Sequence, residues 1–290
     1  MPQSPQQTVE VLRFDNLDQY LFVKNGNYLY KVPYHGGWAV LKVYYCSRGW
    51  FERLYKTFDN IVIAGQTSFM PRSRLRTEQA AMQVWREAGL RVFRVYENVR
   101  VEGLKDGGYA LYEYVPGRHF HKLLPDDAVP LEERVRLYRE FLVAWHRRHR
   151  LAIERQEPRL IHENGDLKHV MDYQGELVWF DFEMCFRSRR HVEDLVSREI
   201  LAYLKSLAEF VKDPGRFELF FEETMKHYPD PDYLRNCYRV AFHNRNPLVR
   251  YARRLDYKFR TRAHKPSSKY NVALRIRQFL GESGGAARPT

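Results

Sequence analysis

Alternating and apolar runs dominate the first third of the chain. Tyr28–Tyr34 and Trp38–Tyr45 flank His35-Gly36-Gly37, a pattern that predicts a β-hairpin. Phe22–Asn27 predicts an earlier strand ending in the Asn25-Gly26 turn, and Gly108–Val115 a later one released by Pro116-Gly117. Further on the period changes to that of a helix. Ala81, Met82 and Trp85 form one stripe within Thr77–Gly89, with Thr77 placed to cap the start and Gly89 to stop it. Val135, Tyr138, Phe141, Leu142 and Trp145 form a second stripe in Leu131–His146, and His191–Leu204 predicts a third helix. Between the last two, Asp172–Gly175 turns Val170-Met171 back onto Leu177–Phe180.

Composition sets limits on this picture. The chain has 290 residues, 44% apolar and 15% aromatic, which supplies material for a large core. No repeat is visible, and the polar ends Met1–Gln7 and Gly284–Thr290 are expected to fray. Cys46, Cys185 and Cys237 are widely spaced, which argues for a reducing compartment and against a disulfide framework or zinc site. There is no eighteen-residue apolar run and no apolar leader, so a cytoplasmic location is expected, with peripheral attachment to the inner membrane face as an extension.

The net charge of +12 is uneven. Residues 250–277 hold ten Lys or Arg against the single acid Asp256, and Arg72, Arg74 and Arg76, with Arg48 and Arg53, form a second basic zone. Such clusters need an anionic partner or a solvated face. Tyr251, Tyr257 and Phe259 interleave with the first zone, either as stacking platforms or as core positions of a helix.

Two carboxylates carry the candidate chemistry. Asp166 follows Asn164-Gly165 in a loop, and Asp181 ends the run Leu177–Phe180, so the intervening hairpin returns one toward the other. Taken alone, the pair is also compatible with ordinary turn and strand-end acids. Lys42 lies inside an apolar strand, where an ammonium needs a partner. Glu78 on the Thr77–Gly89 helix is the candidate, with Glu87 as competitor. His146 reads as a packing histidine, and His162 either as a group orienting the loop backbone or, more commonly, as a surface histidine.

In this order, Lys42, Glu78, Gly165-Asp166-Leu167-Lys168 and Asp181-Phe182-Glu183 resemble the protein-kinase-like superfamily. The glycine before Asp166 and the acid after Phe182 are more similar to small-molecule and lipopolysaccharide core kinases than to protein kinases. So is His169, which stands twelve residues before Asp181 where Asn is usual, in a loop about two residues short. The long segment Ser47–Arg76 between Lys42 and Glu78 also resembles insertions in lipopolysaccharide core kinases.

The resemblance implies an α+β, two-lobed fold: residues 1–115 as a small antiparallel-sheet lobe with one main helix, and 116–290 as a larger helical lobe. It implies ATP and Mg2+ as cofactors. Lys42 and Glu78 would hold the nucleotide phosphates, backbone at Glu113 and Val115 the adenine edge, and a short turn at Gly26 would cover the phosphates. Asp166 and Lys168 would be catalytic, Asp181 and His169 metal-binding, and Asp194 would bond back to the catalytic loop.

The expected activity is phosphorylation of a sugar hydroxyl, heptose or Kdo, on an anionic glycolipid, with residues 250–277 near an anionic membrane. The alternatives are a soluble small-molecule kinase of the aminoglycoside or choline type, and a non-catalytic pseudokinase or RNA-binding module. Nucleic acid is the less favoured partner.

Overall fold

The computed structural model describes residues 9–24, 26–45, 66–68, 70–243, 245 and 247–281. Asn25, Cys46, Arg48, Arg53, most of Ser47–Arg76 and both polar ends lie outside the described residues.

The amino-terminal sheet follows from period-two patterning. Strands β1 (Glu10–Leu12), β2 (Leu21–Lys24), β3 (Tyr28–Tyr34), β4 (Gly37–Val43), β5 (Val95–Tyr96), β6 (Val99–Val101) and β7 (Tyr109–Glu113) precede the second body. Five of them form an antiparallel sheet in the order β2-β3-β4-β7-β5, while β1 and β6 pair in parallel beside it. The turn from β3 to β4 places His35 and Gly36 at φ 46° and 75°, the left-handed pair of a type I′ hairpin. Tyr30, Val32, Ala39 and Leu41 pack on one face with Leu111 and Val101. Alternation therefore sends Val40 and Lys42 to the opposite face, toward the second body.

Helix α1 (Pro71–Glu87) begins six residues before the predicted Thr77 cap. Pro71 supplies the fixed φ of the first helical position, so the start is set there and Thr77 falls inside the first turns. The predicted stop is correct. The Leu90 amide bonds Trp85 O at 2.9 Å and the Gly89 amide bonds Arg86 O at 2.9 Å, with Gly89 at φ 72°, a Schellman ending.

The carboxyl-terminal body opens with β8 (Arg118–His119), the short α2 (Phe120–Leu123) and α3 (Leu131–Glu154). Strands β9 (Val170–Tyr173) and β10 (Glu176–Trp179) form the predicted hairpin, with β8 completing the order β10-β9-β8. Helices α4 (Val192–Phe210), α5 (Pro214–His227), α6 (Pro231–Phe242), α7 (Pro247–Phe259) and α8 (Lys269–Phe279) follow. Helix α3 runs past the predicted His146 because His149 and Ala152 continue its buried stripe. Phe141, Trp145 and Tyr203 join it to α4 through ring contacts of 5.1 to 5.4 Å. Each such fully buried side chain contributes about 1.5–3 kcal/mol. Arg148 and Glu199 pair within this core at 0% exposure, with His149 as third member.

His146 is half-buried against Tyr228, as a packing histidine should be. Tyr257 packs on the core, whereas Tyr251 and Phe259 are 63% and 71% exposed. Cys185 and Cys237 are buried free thiols. Among the described residues, no helix is long and apolar enough to cross a membrane.

Candidate active site

Asp166 caps the 3₁₀ turn Leu167–His169 that leads into β9. Its Oδ1 accepts the Lys168 amide at 3.0 Å and the Ser206 hydroxyl at 2.8 Å, and Lys168 Nζ stands 3.2 Å from Oδ2. Burial acts to raise this carboxyl, but the Lys168 amide and Ser206 hydroxyl outweigh it and hold the group below its usual range. Ser206, on α4, also accepts the Leu167 amide at 2.9 Å, so it fixes the loop from behind. Gly165 is required by space: a Cβ there would meet the Tyr203 ring at 2.8 Å.

Asp194, expected to bond back to this loop, does not. It sits at the first turn of α4 and bonds Asn236, Arg239 and Arg245 instead. Ser206, twelve residues later on the same helix, takes that place.

Asp181 adopts a left-handed backbone at φ 73°, a conformation that costs a non-glycine residue about 1–3 kcal/mol and collects at functional sites. Two histidines hold it. His162 is 1% exposed, not at the surface as predicted: its Nε2 donates to Asp181 O at 3.1 Å and its Nδ1 faces the Tyr203 hydroxyl at 3.1 Å. Burial, then the neighbouring His169, bring this imidazole down to about 4, so it is a neutral strut. His169 donates from Nδ1 to Asn164 O at 3.0 Å, which aims Nε2 at Asp181 Oδ2, 3.0 Å away. Burial opposes ionisation of Asp181, yet His169 and Lys42 hold it far below the usual carboxylate range.

Opposite these groups, Lys42 Nζ lies 3.0 and 2.9 Å from the two Glu78 oxygens. Glu87 instead accepts from Gln83 on the exposed side of α1. Lys42 is also 2.7 Å from Glu183 Oε1 and 3.6 Å from Asp181 Oδ1. Burial alone would favour a neutral amine, but Glu78, Glu183 and Asp181 raise its pKa well above the ordinary value. Glu183 is bonded in turn by Arg74 Nε at 2.8 Å and by Asn27. Three carboxylates thus face two cations, Lys42 and Arg74.

Of these groups, Asn27, Lys42, Glu78, Lys168, His169 and Asp181 line one cleft of about 470 Å³ between the sheet and the helical body. Lys168, His169 and Asp181 close its lower side and Lys42 its upper side, while Leu29, Val40, Met171 and Phe180 give an apolar slot. Glu113 and Val115 line that slot where the chain passes between bodies. The Glu113 amide is engaged by Arg94 O at 2.9 Å, and its carboxylate binds Arg91 at 2.6 Å. Gly117 has no room for a side chain, because a Cβ would lie 2.6 Å from Met171 Sδ. Gly26 turns left-handed at φ 72° with open space around it, next to Asn27 of the cleft wall. A larger groove of about 950 Å³, between Leu90 and Val143, contains none of these acids.

A family model described as the phosphotransferase enzyme family (APH) matches residues 66–216, just over half of the 290. The chain belongs to this phosphotransferase family. The match spans α1 with Glu78, the loop bearing Asp166, Asp181 and α4, while Lys42 lies outside it. A comparison with curated proteins gave no match. Among solved structures, WaaP in complex with acyl carrier protein is similar at 11% identity, covering 90% of this chain and 87% of that chain, with a TM-score of 0.40. The Rio2 kinase-ADP/Mg2+-phosphoaspartate complex from Chaetomium thermophilum is similar at 16% identity, 90% and 70% coverage and a TM-score of 0.41. The PknI kinase domain of M. tuberculosis is similar at 13% identity, 88% and 91% coverage and a TM-score of 0.34. The protein is a phosphotransferase with an amino-terminal antiparallel-sheet region and a helical carboxyl-terminal region.

Among the described residues, no three His, Cys, Asp or Glu converge as a complete metal-binding set. Magnesium in phosphotransferases takes one or two carboxylates and completes its shell with substrate phosphates and water, so Asp181 fits the ion. Sequence reasoning missed Glu183 as a partner of Lys42, Arg74 as a partner of Glu183, and Ser206. Of these, only Glu183 had a nearby signal, its place in Asp-Phe-Glu.

Proposed function

We propose that this phosphotransferase moves the γ-phosphoryl group of ATP onto a hydroxyl of an anionic sugar, a heptose or Kdo residue of a lipopolysaccharide core, at the cytoplasmic face of the membrane. The supporting observation is the convergence in one cleft of Lys168, His169, Asp181 and the Lys42–Glu78 pair, with Asp166 held 3.2 Å from Lys168 Nζ.

Lys42, released from Glu183, would hold the nucleotide phosphates. The apolar slot beside Glu113 and Val115 would take the adenine, and the turn at Gly26 would cover the phosphates. Asp181 would hold magnesium, which neutralises phosphate charge when bound. His169 Nε2 would orient that carboxylate or the phosphate beside it. Asp166, held below its usual carboxylate range, would align the acceptor hydroxyl and take its proton late. The acceptor oxygen bonds to the γ-phosphorus, the bond to the bridging oxygen breaks, and ADP leaves. Lys168 would offset charge on the phosphoryl group in transit.

The anionic acceptor is supported by the basic carboxyl-terminal helices, and membrane proximity by α7. Tyr251, Leu255 and Phe259 form an exposed stripe at helical spacing there, flanked by exposed Arg250, Arg254 and Lys258. Radiolabelled ATP incubated with core glycolipids of defined truncation tests this reading. Label should enter only glycolipids that keep the target sugar and should fall to background with Asp166→Ala. Equal label from both proteins, or none with any glycolipid, overturns it.

A further inference from the structure

We propose that α4, α6, α7 and α8 enclose a second anion site, separate from the nucleotide cleft, that holds a phosphate or carboxylate group. The site is a cavity of about 210 Å³ whose wall includes Arg198 from α4, Arg253 from α7 and Lys269 from α8. All three cations are half-buried. Among the described residues, none has a carboxylate within ion-pair distance. The Arg198 guanidinium stands 4.7 Å from the Phe186 ring, and Lys269 4.9 Å from the Tyr270 ring. Arg253 donates one arm to Val240 O, which fixes the guanidinium and leaves its other arm for a ligand.

Glu163 is the acid on the wall, bonded by Gln66 on the side of the catalytic loop, and Lys205 at the rim is paired with Glu209 at 3.2 Å. Gathering three cations around one carboxylate in a half-buried space is costly unless an anion joins them. The cost shows in the cations themselves: burial, then Arg253, bring Lys269 down to about 8. Burial and Arg253 lower Arg198 as well. Lys269 is moreover the first residue of α8, the helix end that favours negative charge, so local preference is overridden here. Two fixed guanidinium groups and an ammonium match the oxygens of a phosphate or carboxylate.

Phe186 couples the site to the rest of the molecule, since it lies three residues beyond Glu183 and bridges to Gln66. The anion could belong to the acceptor, a source that rests on the reading above, or be free phosphate; the cavity itself rests on neither.

Inorganic phosphate is the probe, applied to the full chain without nucleotide and compared with chloride at equal ionic strength. Phosphate should raise Tm beyond chloride, equally in Asp181→Asn, and Arg198→Gln or Arg253→Gln should weaken its binding about tenfold or more. Lys269→Met, which keeps the apolar stem, should do the same and guards against loss of fold. No rise beyond chloride, or an undiminished rise in all three variants with native circular dichroism, overturns the site. With glycolipid acceptor, competition by phosphate and a raised acceptor KM in Arg253→Gln identify the acceptor as the source. Non-competitive phosphate with an altered kcat identifies free phosphate. If no glycolipid is phosphorylated yet the Tm response follows the three cations, the acceptor assignment falls and the anion site stands.

Discussion

Asp166 and Asp181 sit in different surroundings, and the duties proposed for them differ accordingly. Asp166 is tied to the Lys168 amide and Ser206 hydroxyl, so its carboxylate is fixed in direction more than activated in basicity. Asp166→Ala should therefore lower kcat by about 10²–10⁴-fold and leave the KM for ATP nearly unchanged in steady-state kinetics. Asp181→Asn should abolish the magnesium-dependent part of ATP-induced thermal stabilisation; an unchanged shift would remove Asp181 from metal binding. Lys42, Glu78, Asp166 and Asp181 were placed from the sequence by their order and likeness to a kinase motif set, and the Lys42–Glu78 pair also because an ammonium inside an apolar strand needs a partner. His162 and Ser206 were not. A histidine and a serine have common bland roles, and what defines these two is contact with Asp181 and Asp166, 19 and 40 residues away in the chain.

At the scale of elements, α4 carries most of the supporting structure. It presents Ser206 to the catalytic loop, Tyr203 against Gly165, and Glu199 to Arg148 and His149. Gly165→Ala should push the loop away from Tyr203, costing about 1–3 kcal/mol of stability and lowering kcat more than it changes the KM for ATP. Glu199→Ala should be harsher, about 3–5 kcal/mol in denaturant unfolding, because it strands a guanidinium at 0% exposure. A loss below about 1 kcal/mol would mean that the ion pair is not buried as described. The hairpins and the core stripes of α1 and α3 were readable from periodicity alone. Their ends were less so: α1 starts at Pro71 rather than at Thr77, a case of proline outranking a side-chain cap. Contacts between α4 and its distant partners have no periodic signature, which is why Asp194 was given the place that Ser206 fills.

Across the molecule, acid sensitivity follows from two histidines sealed in the core. Burial brings His149 and His162 each down to about 4 in the folded state, whereas an exposed histidine in the unfolded chain takes up its proton near 6.5. Between those values the unfolded chain binds more protons, so stability should be intact above about pH 6.5 and fall as pH drops toward 4, by on the order of 3 kcal/mol per histidine. Tm measured across that window should decline, and His162→Gln should flatten the slope. The outward stripe of α7 gives a second expectation at this scale. Cosedimentation with anionic vesicles should weaken as salt rises, and Leu255→Glu should reduce it about tenfold or more without altering the site. The basic helices were visible in composition, but which of their aromatics face outward was settled only by packing.

Trp85 has a different kind of consequence. Its indole N–H bonds Arg159 O at 2.8 Å, its ring lies 4.5 Å from Phe182 and 4.6 Å from the Arg148 guanidinium, and it is wholly buried. Helix α1 is thereby pinned to the lower body, so breathing of the mouth is left mainly to the strands swinging over it. Because Trp179 stands 5.8 Å away, a shift of Phe182 would change the emission of the indole pair, giving a label-free optical gauge of nucleotide arrival.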